Sequence, residues 1–366
     1  MGLEYLPISV QRIRYPPFEH HHMLPNELPI AELAIESEFQ PTPVFSIGDE
    51  KDWFVEWREF NEDEDSGLIK LASEVKIDPP LFIKRSRLGW YIDPDPLHNI
   101  SRKFIPTTVA VLIFVLFIHA IAIENQLVEI GILPSVFSGS FRIGPLEYPR
   151  LLFIAFPLFL LPIAIRTVAN FKDMSKQSNF ISKPVNAPEI EVVADGHGVS
   201  VIINGLPDDV VPIRARIQAG IIIPERSAVI KSLGRREGGQ PSPGMSTQLP
   251  EKRIAAVDKD GTGVGEVTPM QRTNSRVMIL EPMRMMDSGP WEDVQEETPI
   301  QLMGPNWPGS IYSPLIAVHW ELILQFNVKS KGKLYWVRPI TIDQSQDPLN
   351  IEKAPVRSGR AEMSNY

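Results

Sequence analysis

One acidic, glycine-rich segment contains residues of the type and spacing that could bind a calcium ion. Residues 258–269 read DKDGTGVGEVTP and begin like an EF-hand loop, with aspartate at positions one and three and glycine at position six. An EF-hand loop also needs an apolar residue at position eight and a bidentate glutamate at position twelve, but Gly265 and Pro269 stand there. We therefore interpret the segment as an acidic turn and do not expect Ca²⁺ binding. Its candidate ligands are Asp258, Asp260, Thr262 and Glu266.

Histidines form two further candidate sites. Residues 19–22 read EHHH, but adjacent side chains of an extended chain point in alternate directions, and no second cluster with zinc-ligand spacing accompanies them. His197 stands between two glycines, a setting typical of a turn. Both patterns predict loops, and we expect neither a metal nor a cofactor.

The composition argues against several classes of protein. The chain has no cysteine, so it has neither disulfides nor thiolate chemistry, and its formal net charge of −9 is the opposite of what a nucleic-acid binder needs. It also lacks the nucleophile-elbow, Walker and dinucleotide-binding motifs. We therefore expect a protein that is not an enzyme, with an enzyme whose site has no known signature as an alternative.

Two apolar runs predict a transmembrane helical hairpin. Residues 104–123 carry no formal charge and have the length that crosses about 30 Å of hydrocarbon. The second run, residues 151–165, holds Pro157 and Pro162 and becomes long enough if it extends to 169, with Arg166 reaching the headgroups. A re-entrant or interfacial segment is the alternative for this second run.

The distribution of basic residues predicts the orientation of the hairpin. Nine lysines and arginines flank the two runs, and two lie between them. The flanking residues are Lys84, Arg85, Arg87, Arg102, Lys103, Arg166, Lys172, Lys176 and Lys183, and the intervening ones are Arg142 and Arg150. Because the more basic side stays cytoplasmic, we expect an integral membrane protein with both termini in the cytoplasm. The loop between the runs has apolar stretches that could lie in the membrane interface.

The C-terminal half has the pattern of β-strands. From Ile316 to Val328 the even positions are apolar and the odd ones largely polar, which predicts a half-buried strand. A glycine-containing turn follows, and a second extended run predicts a hairpin. Several short β-branched runs upstream, closed by Gly, Pro, Asn or Asp, favour a β-sandwich of immunoglobulin-like construction.

The residues 309–342 resemble the late strands of arrestin-like β-sandwich domains. The resemblance rests on PGSIYSPLIAVHWELILQF, with its Trp-Glu pair, followed by a hairpin and VRPITI. It implies a binding platform and not a catalyst, and it transfers no interaction residue. Packing alone in an unrelated sandwich would produce the same residues.

The remaining segments complete the predicted organisation. In the N-terminal region, residues 53–57 and 69–77 alternate in polarity and predict another hairpin, joined by a solvated acidic turn. The fold class is thus mainly β, with a transmembrane helical hairpin. Its predicted parts are an N-terminal extended β region (1–100), the hairpin (101–170), a C-terminal sandwich (185–345) with a disordered insertion (234–275), and a flexible tail (346–366). Whether the N-terminal region joins the sandwich stays open.

We expect a membrane-anchored interaction or scaffolding protein whose partners are the lipid bilayer and other proteins. Its affinity would come from exposed strand edges or loop pockets. An accessory subunit of a larger transport or secretion complex is the alternative. The two differ in whether the hairpin is a replaceable anchor or packs specifically against other spans.

Overall fold

The structure is a computed structural model that describes most of the chain. The described residues are 7–16, 24–37, 44–68, 70–73, 88–195, 198–222, 247–249, 283, 285–313, 315–344 and 347–356. The candidate calcium ligands Asp258, Asp260, Thr262 and Glu266 lie outside them, as do residues 19–22 and His197. So does the predicted insertion 234–275, apart from residues 247–249.

The chain divides into two compact units. The β unit consists of Met1–Asp93 together with Lys183–Tyr366, and the helical unit consists of Pro94–Ser182. The N-terminal strands are β1 (Ile8–Arg14), β2 (Ala31–Ser37), β3 (Phe45–Gly48), β4 (Phe54–Glu59), β5 (Lys70–Ser73) and β6 (Gly89–Ile92). The helical unit contains α1 (Leu97–Ala120), α2 (Glu124–Glu129), β7 (Ser140–Ile143), β8 (Leu146–Pro149) and α3 (Arg150–Ser182).

The C-terminal part of the β unit supplies the remaining strands. They are β9 (Glu189–Asp195), β10 (Gly198–Asn204), β11 (Val210–Ile222), β12 (Thr247–Gln248), β13 (Met285–Ser288), β14 (Glu292–Asp293), β15 (Ile300–Met303), β16 (Ile311–Tyr312), β17 (Ala317–Val328), β18 (Gly332–Ile340) and β19 (Leu349–Ile351). The fold is therefore mainly β with two long apolar helices, as predicted; the immunoglobulin or arrestin type stays a prediction.

The described residues of the β unit form three sheets, and two of these sheets combine strands from both ends of the chain. The main sheet has the order β12-β6-β18-β17-β11-β13, with β14 beside β11 and β16 beside β17. The N-terminal sheet has the order β19-β3-β4-β1-β2-β5, and the small sheet has the order β15-β10-β9. Because β6 pairs with β18 and β19 pairs with β3, the N-terminal region shares sheets with the C-terminal one. Strand β19 lies within the predicted tail 346–366.

The predicted C-terminal hairpin is present as β17 and β18. The two strands pair in antiparallel register from Trp320 opposite Ile340 to Val328 opposite Gly332. Gly332 has a φ of +76°, a backbone conformation that glycine adopts without steric cost, and this lets the chain reverse. The prediction that one face of β17 is exposed is wrong, because His319 and Glu321 on the polar side are also buried. An alternating sequence indicates that the two faces of a strand differ in polarity. It does not indicate whether another layer of the protein covers the polar face.

The predicted N-terminal hairpin of residues 53–57 and 69–77 is wrong for its described part; residues 69 and 74–77 lie outside the described residues. Strand β4 pairs with β1 and β3, whereas β5 pairs in parallel with β2. The acidic turn between them is not merely a solvated tip, since Asp65 is 5% exposed. Its carboxylate receives two hydrogen bonds from Arg58, at 2.8 and 2.7 Å, and one from the Asn61 main-chain N–H at 2.8 Å. This contact holds the turn against β4.

The apolar face of the main sheet is filled by aromatic side chains. Trp90 packs edge to face against Phe326 and Trp336, with ring centroids 5.3 and 5.2 Å apart. Trp320 has no solvent exposure and donates its indole N–H to the Pro308 carbonyl at 2.9 Å. A buried indole N–H needs such an acceptor.

Candidate functional site

The helical unit is an antiparallel pair of long apolar helices. Helix α1 runs from Leu97 to Ala120. It ends there because Ala122 adopts a left-handed φ of +53°, which a helix cannot contain. Helix α3 runs without interruption from Arg150 to Ser182, well past the predicted end at 169, and ends two residues before Pro184. Both helices are long and apolar enough to cross a membrane.

The exposure of the two helices distinguishes them from core helices of a soluble domain. Only 17% and 11% of their most apolar windows are buried, whereas a soluble core helix would be mostly buried. Large apolar side chains are exposed on several sides of both helices. They include Ile113, Phe114, Phe117, Phe153, Phe156 and Ile163. Such a surface is typical of helices whose solvent is hydrocarbon.

The contact between α1 and α3 combines an apolar cluster with polar links. Val115 and Ile118 of α1 form a buried cluster with Leu151 and Ala155 of α3. Nearer the other end of α1, the hydroxyl of Ser101 is buried and donates to the Pro162 carbonyl at 2.7 Å. A hydroxyl bonded to a carbonyl across two helices is a common polar link in membrane helix pairs.

Charged side chains lie where α1 begins beside the last turns of α3. Asp95 accepts a hydrogen bond from the Leu97 main-chain N–H at 3.1 Å, which supports the first turn of α1. The Asp173 carboxylate accepts one from the Asp95 main-chain N–H at 3.1 Å, and its Oδ2 lies 3.0 Å from His98 Nε2. Lys172 Nζ lies 3.5 Å from Asp95 Oδ2. This polar end marks one limit of the apolar surface.

The opposite end of the pair is also bounded by polar groups. His119 Nδ1, in the last turn of α1, lies 3.0 Å from Glu124 Oε1 of α2. Arg142 and Glu147 follow on the paired strands β7 and β8. Polar groups at both ends, with apolar side chains between them, form the pattern that a bilayer requires.

A second candidate is a row of buried polar side chains on β17 and its neighbours. The Tyr312 hydroxyl lies 2.9 Å from His319 Nδ1, and His319 Nε2 lies 3.5 Å from Glu321 Oε1. Gln218 of β11 donates to Glu321 Oε2 at 2.8 Å. Burial, and then the nearby Glu321 carboxylate, raises the pKa of Tyr312 above its usual range.

The buried row has the residue types of an acid–base site but not its accessibility. His319 and Glu321 are 0% and 1% exposed, so a substrate has no route to the imidazole or the carboxylate. We therefore interpret the row as a hydrogen-bonded layer that joins β11, β16 and β17. Sequence reasoning placed His319 and Glu321 together on one side of the strand but assigned that side to solvent.

The same face of the main sheet carries two arginines over one tryptophan. The guanidinium carbons of Arg214 and Arg216 lie 4.3 and 4.4 Å from the Trp291 ring centroid. Arg214 also donates to Gln325 at 2.8 Å, and Gln325 donates to the Tyr335 hydroxyl at 2.7 Å. Sequence reasoning missed this cluster. The alternating Arg-Ala-Arg of β11 indicates two arginines on one face of the strand. Nothing in the sequence indicates that Trp291 lies against them.

The described residues contain no group of three or more His, Asp or Glu side chains arranged to hold a metal ion. Their fold defines a class: a mainly β protein that carries a helical hairpin long and apolar enough to cross a membrane. No family model matches the chain, and no curated protein is similar to it.

Proposed function

We propose that this chain is a membrane-anchored interaction or scaffolding protein that presents its β unit to protein partners on the cytoplasmic side. The observation that carries the proposal is the pairing of strands from both sides of the helical unit. Strand β6, just before α1, pairs with β18, and β3 pairs with β19 near the C-terminal end of the described residues.

Shared sheets restrict the topology. A chain that crossed the membrane an odd number of times would place β6 and β18 on opposite sides of the bilayer, where they could not form hydrogen bonds. Two crossings, by α1 and α3, keep both partners in one compartment. The nine flanking and two intervening basic residues make that compartment the cytoplasm.

The β unit carries the proposed binding role. The N-terminal and main sheets are linked by the Tyr15 hydroxyl, which donates to the Ile221 carbonyl at 2.9 Å, and by Ser313, which donates to Gln11 at 2.5 Å. These links support a sandwich of immunoglobulin or arrestin-like construction. Strands β9 and β15 stand at the two ends of the small sheet, and Val193 of β9 and Met303 of β15 are exposed. Such edges are where an extended peptide of a partner adds as a further strand.

Labelling of single cysteines tests the topology directly, because the natural chain has none. Lys51 and Lys353 are exposed residues of the β unit. Lys51 precedes the helical unit in the sequence, and Lys353 follows it. We expect Lys51→Cys and Lys353→Cys to react with a membrane-impermeant maleimide only when the cytoplasmic face of sealed vesicles is accessible. Reaction of the two from opposite faces would refute the hairpin topology.

Crosslinking in native membranes tests the binding role. We expect the intact chain to be recovered with a stable protein partner, and a variant with an unrelated apolar two-helix hairpin to retain it. Recovery of no partner would refute the proposal.

An accessory subunit of a larger membrane complex is the second candidate. It is favoured by the open apolar surface of both helices, which suits neighbouring spans as well as lipid. This candidate predicts that the replacement hairpin loses the partner while the maleimide pattern is unchanged.

A further inference from the structure

Both helices are long enough to cross a bilayer, but the charge-free stretches within them are shorter than the helices themselves. The charge-free part of α1, residues 104–120, covers about 26 Å at 1.5 Å per residue, and residues 151–165 of α3 cover about 22 Å. The hydrocarbon of a bilayer is about 30 Å thick. On the proposed topology, the residues that flank these charge-free stretches cover the remaining few ångströms of the span.

The segment between the helices, residues 121–149, provides apolar surface at the closed end of the hairpin. Its exposed large apolar side chains are Ile121, Ile130, Ile132, Val136, Leu146 and Tyr148. Ile130, Ile132 and Val136 are each more than 60% exposed, which is unfavourable in water for a short loop. A loop that projected into an aqueous compartment would bury or replace such side chains.

Aromatic and aliphatic contacts hold this segment against the helices. Phe141 of β7 packs edge to face on Phe153 of α3, with ring centroids 4.4 Å apart. Leu127, Leu133 and Phe137 pack on the buried cluster shared by α1 and α3. The segment therefore remains beside the apolar part of the hairpin.

The main chain of the segment is extensively hydrogen-bonded within itself, as a segment that leaves bulk water requires. The N–H groups of Ile130, Ile132 and Leu133 donate to carbonyls of α2, at 2.9 to 3.1 Å. Strands β7 and β8 pair with each other, and the Arg150 N–H, which follows them, donates to the Gly139 carbonyl at 3.0 Å.

From these observations we infer that residues 121–149 lie in the headgroup and upper acyl region of the far leaflet and complete the span. The occupant of the exposed apolar surface is lipid, because this surface continues the apolar surface of α1 and α3. Charged groups of the segment, such as Arg142 and Glu147, fit a headgroup environment. The inference rests on the proposed membrane anchoring.

Fluorophores on single cysteines test the inference in the full chain, reconstituted in phosphatidylcholine vesicles. The test positions are Ile132→Cys and Val136→Cys, with Phe114→Cys as the mid-helix reference and Lys353→Cys as the aqueous reference. Lipids brominated at different acyl depths and iodide on both sides of the vesicle serve as quenchers. We expect bromine near the headgroups to quench the test labels best, and iodide to quench them about threefold less than the Lys353 label.

The possible contrary results separate the inference from the proposed function. The inference would be overturned if iodide quenched the test labels as strongly as the Lys353 label. If deep bromine still quenched the Phe114 label, the membrane anchoring would stand. Protection from iodide without quenching by bromine would overturn it as well, since protein would then cover the segment. Absence of lipid quenching at Phe114 would refute the membrane anchoring itself.

Discussion

The ion pair between Arg58 and Asp65 makes a measurable prediction about the N-terminal sheet. Two hydrogen bonds, at 2.8 and 2.7 Å, join the guanidinium to the carboxylate, and the Asn61 N–H donates a third at 2.8 Å. Asp65→Asn removes the charge and one of the two acceptor oxygens. Removing one partner of a fully buried pair costs about 3–5 kcal/mol, but the Arg58 side chain is 19% exposed and keeps some solvation. We expect a loss of about 2–3 kcal/mol of unfolding free energy.

Urea unfolding of the detergent-solubilised chain, followed by tryptophan fluorescence, measures this loss. All seven tryptophans lie in the β unit, so the signal reports that unit. Glu62→Gln is the matched control, because it removes the same charge from an exposed residue of the same turn and should change stability by less than about 0.5 kcal/mol. Equal effects of the two substitutions would refute the role of Asp65.

The pH dependence provides a second check on the same pair. The hydrogen bonds from Arg58 lower the pKa of Asp65 below its ordinary value of 3.8. A lowered folded pKa means that the stabilisation is complete above the unfolded pKa and is lost as pH falls through the folded one. The difference between wild type and Asp65→Asn should therefore be constant from about pH 7 to 5 and shrink below about pH 4. A difference that did not shrink in acid would contradict the ionic account.

Three further predictions use the same unfolding assay. Trp320→Phe should cost about 1–2 kcal/mol, mainly through the lost indole hydrogen bond, and Trp320→Ala about 3–5 kcal/mol; equal losses would contradict the packing. A Cβ at Gly289 would clash with the Met303 carbonyl oxygen, whereas at Gly332 it would meet no atom within 4 Å and would add only the strain of a left-handed φ; Gly289→Ala should therefore lower the unfolding midpoint more than Gly332→Ala. Burial raises the pKa of Tyr335 to about 12, so stability should fall as pH rises above about 10, where the unfolded phenol ionises. Tyr335→Phe should reduce that decline, and an unchanged slope would show that other groups cause it.

The sequence predicted the elements whose signals are local. Two apolar runs predicted α1 and α3 because a charge-free helix of this length is rare in a soluble protein. Strict alternation predicted β17, and the following glycine-containing turn predicted its hairpin with β18. The predicted helix ends were less accurate. Helix α3 continues through the polar residues after 169 and ends at Ser182, shortly before Pro184.

The candidate sites depended on contacts that alternation and spacing do not encode. The alternation of β17 predicts that its odd positions face solvent, because a polar face is exposed in most half-buried strands. In the fold, Gln218 from β11 donates to Glu321, and the Tyr312 hydroxyl from β16 lies 2.9 Å from His319 Nδ1, away from water. A buried polar group is stable only with its partners, and Gln218 stands 103 residues before Glu321 in the chain.

What the sequence determined by itself was the presence of two membrane-length helices within a mainly β chain, because hydrophobic length and period are properties of neighbouring residues. Strand pairing was decided only by the tertiary structure: β5 joins β2 instead of β4, β6 joins β18, and β19 joins β3. Hydrogen bonds between strands are chemically the same for any sequence, so the choice of partner depends on how the side-chain faces of the whole unit pack.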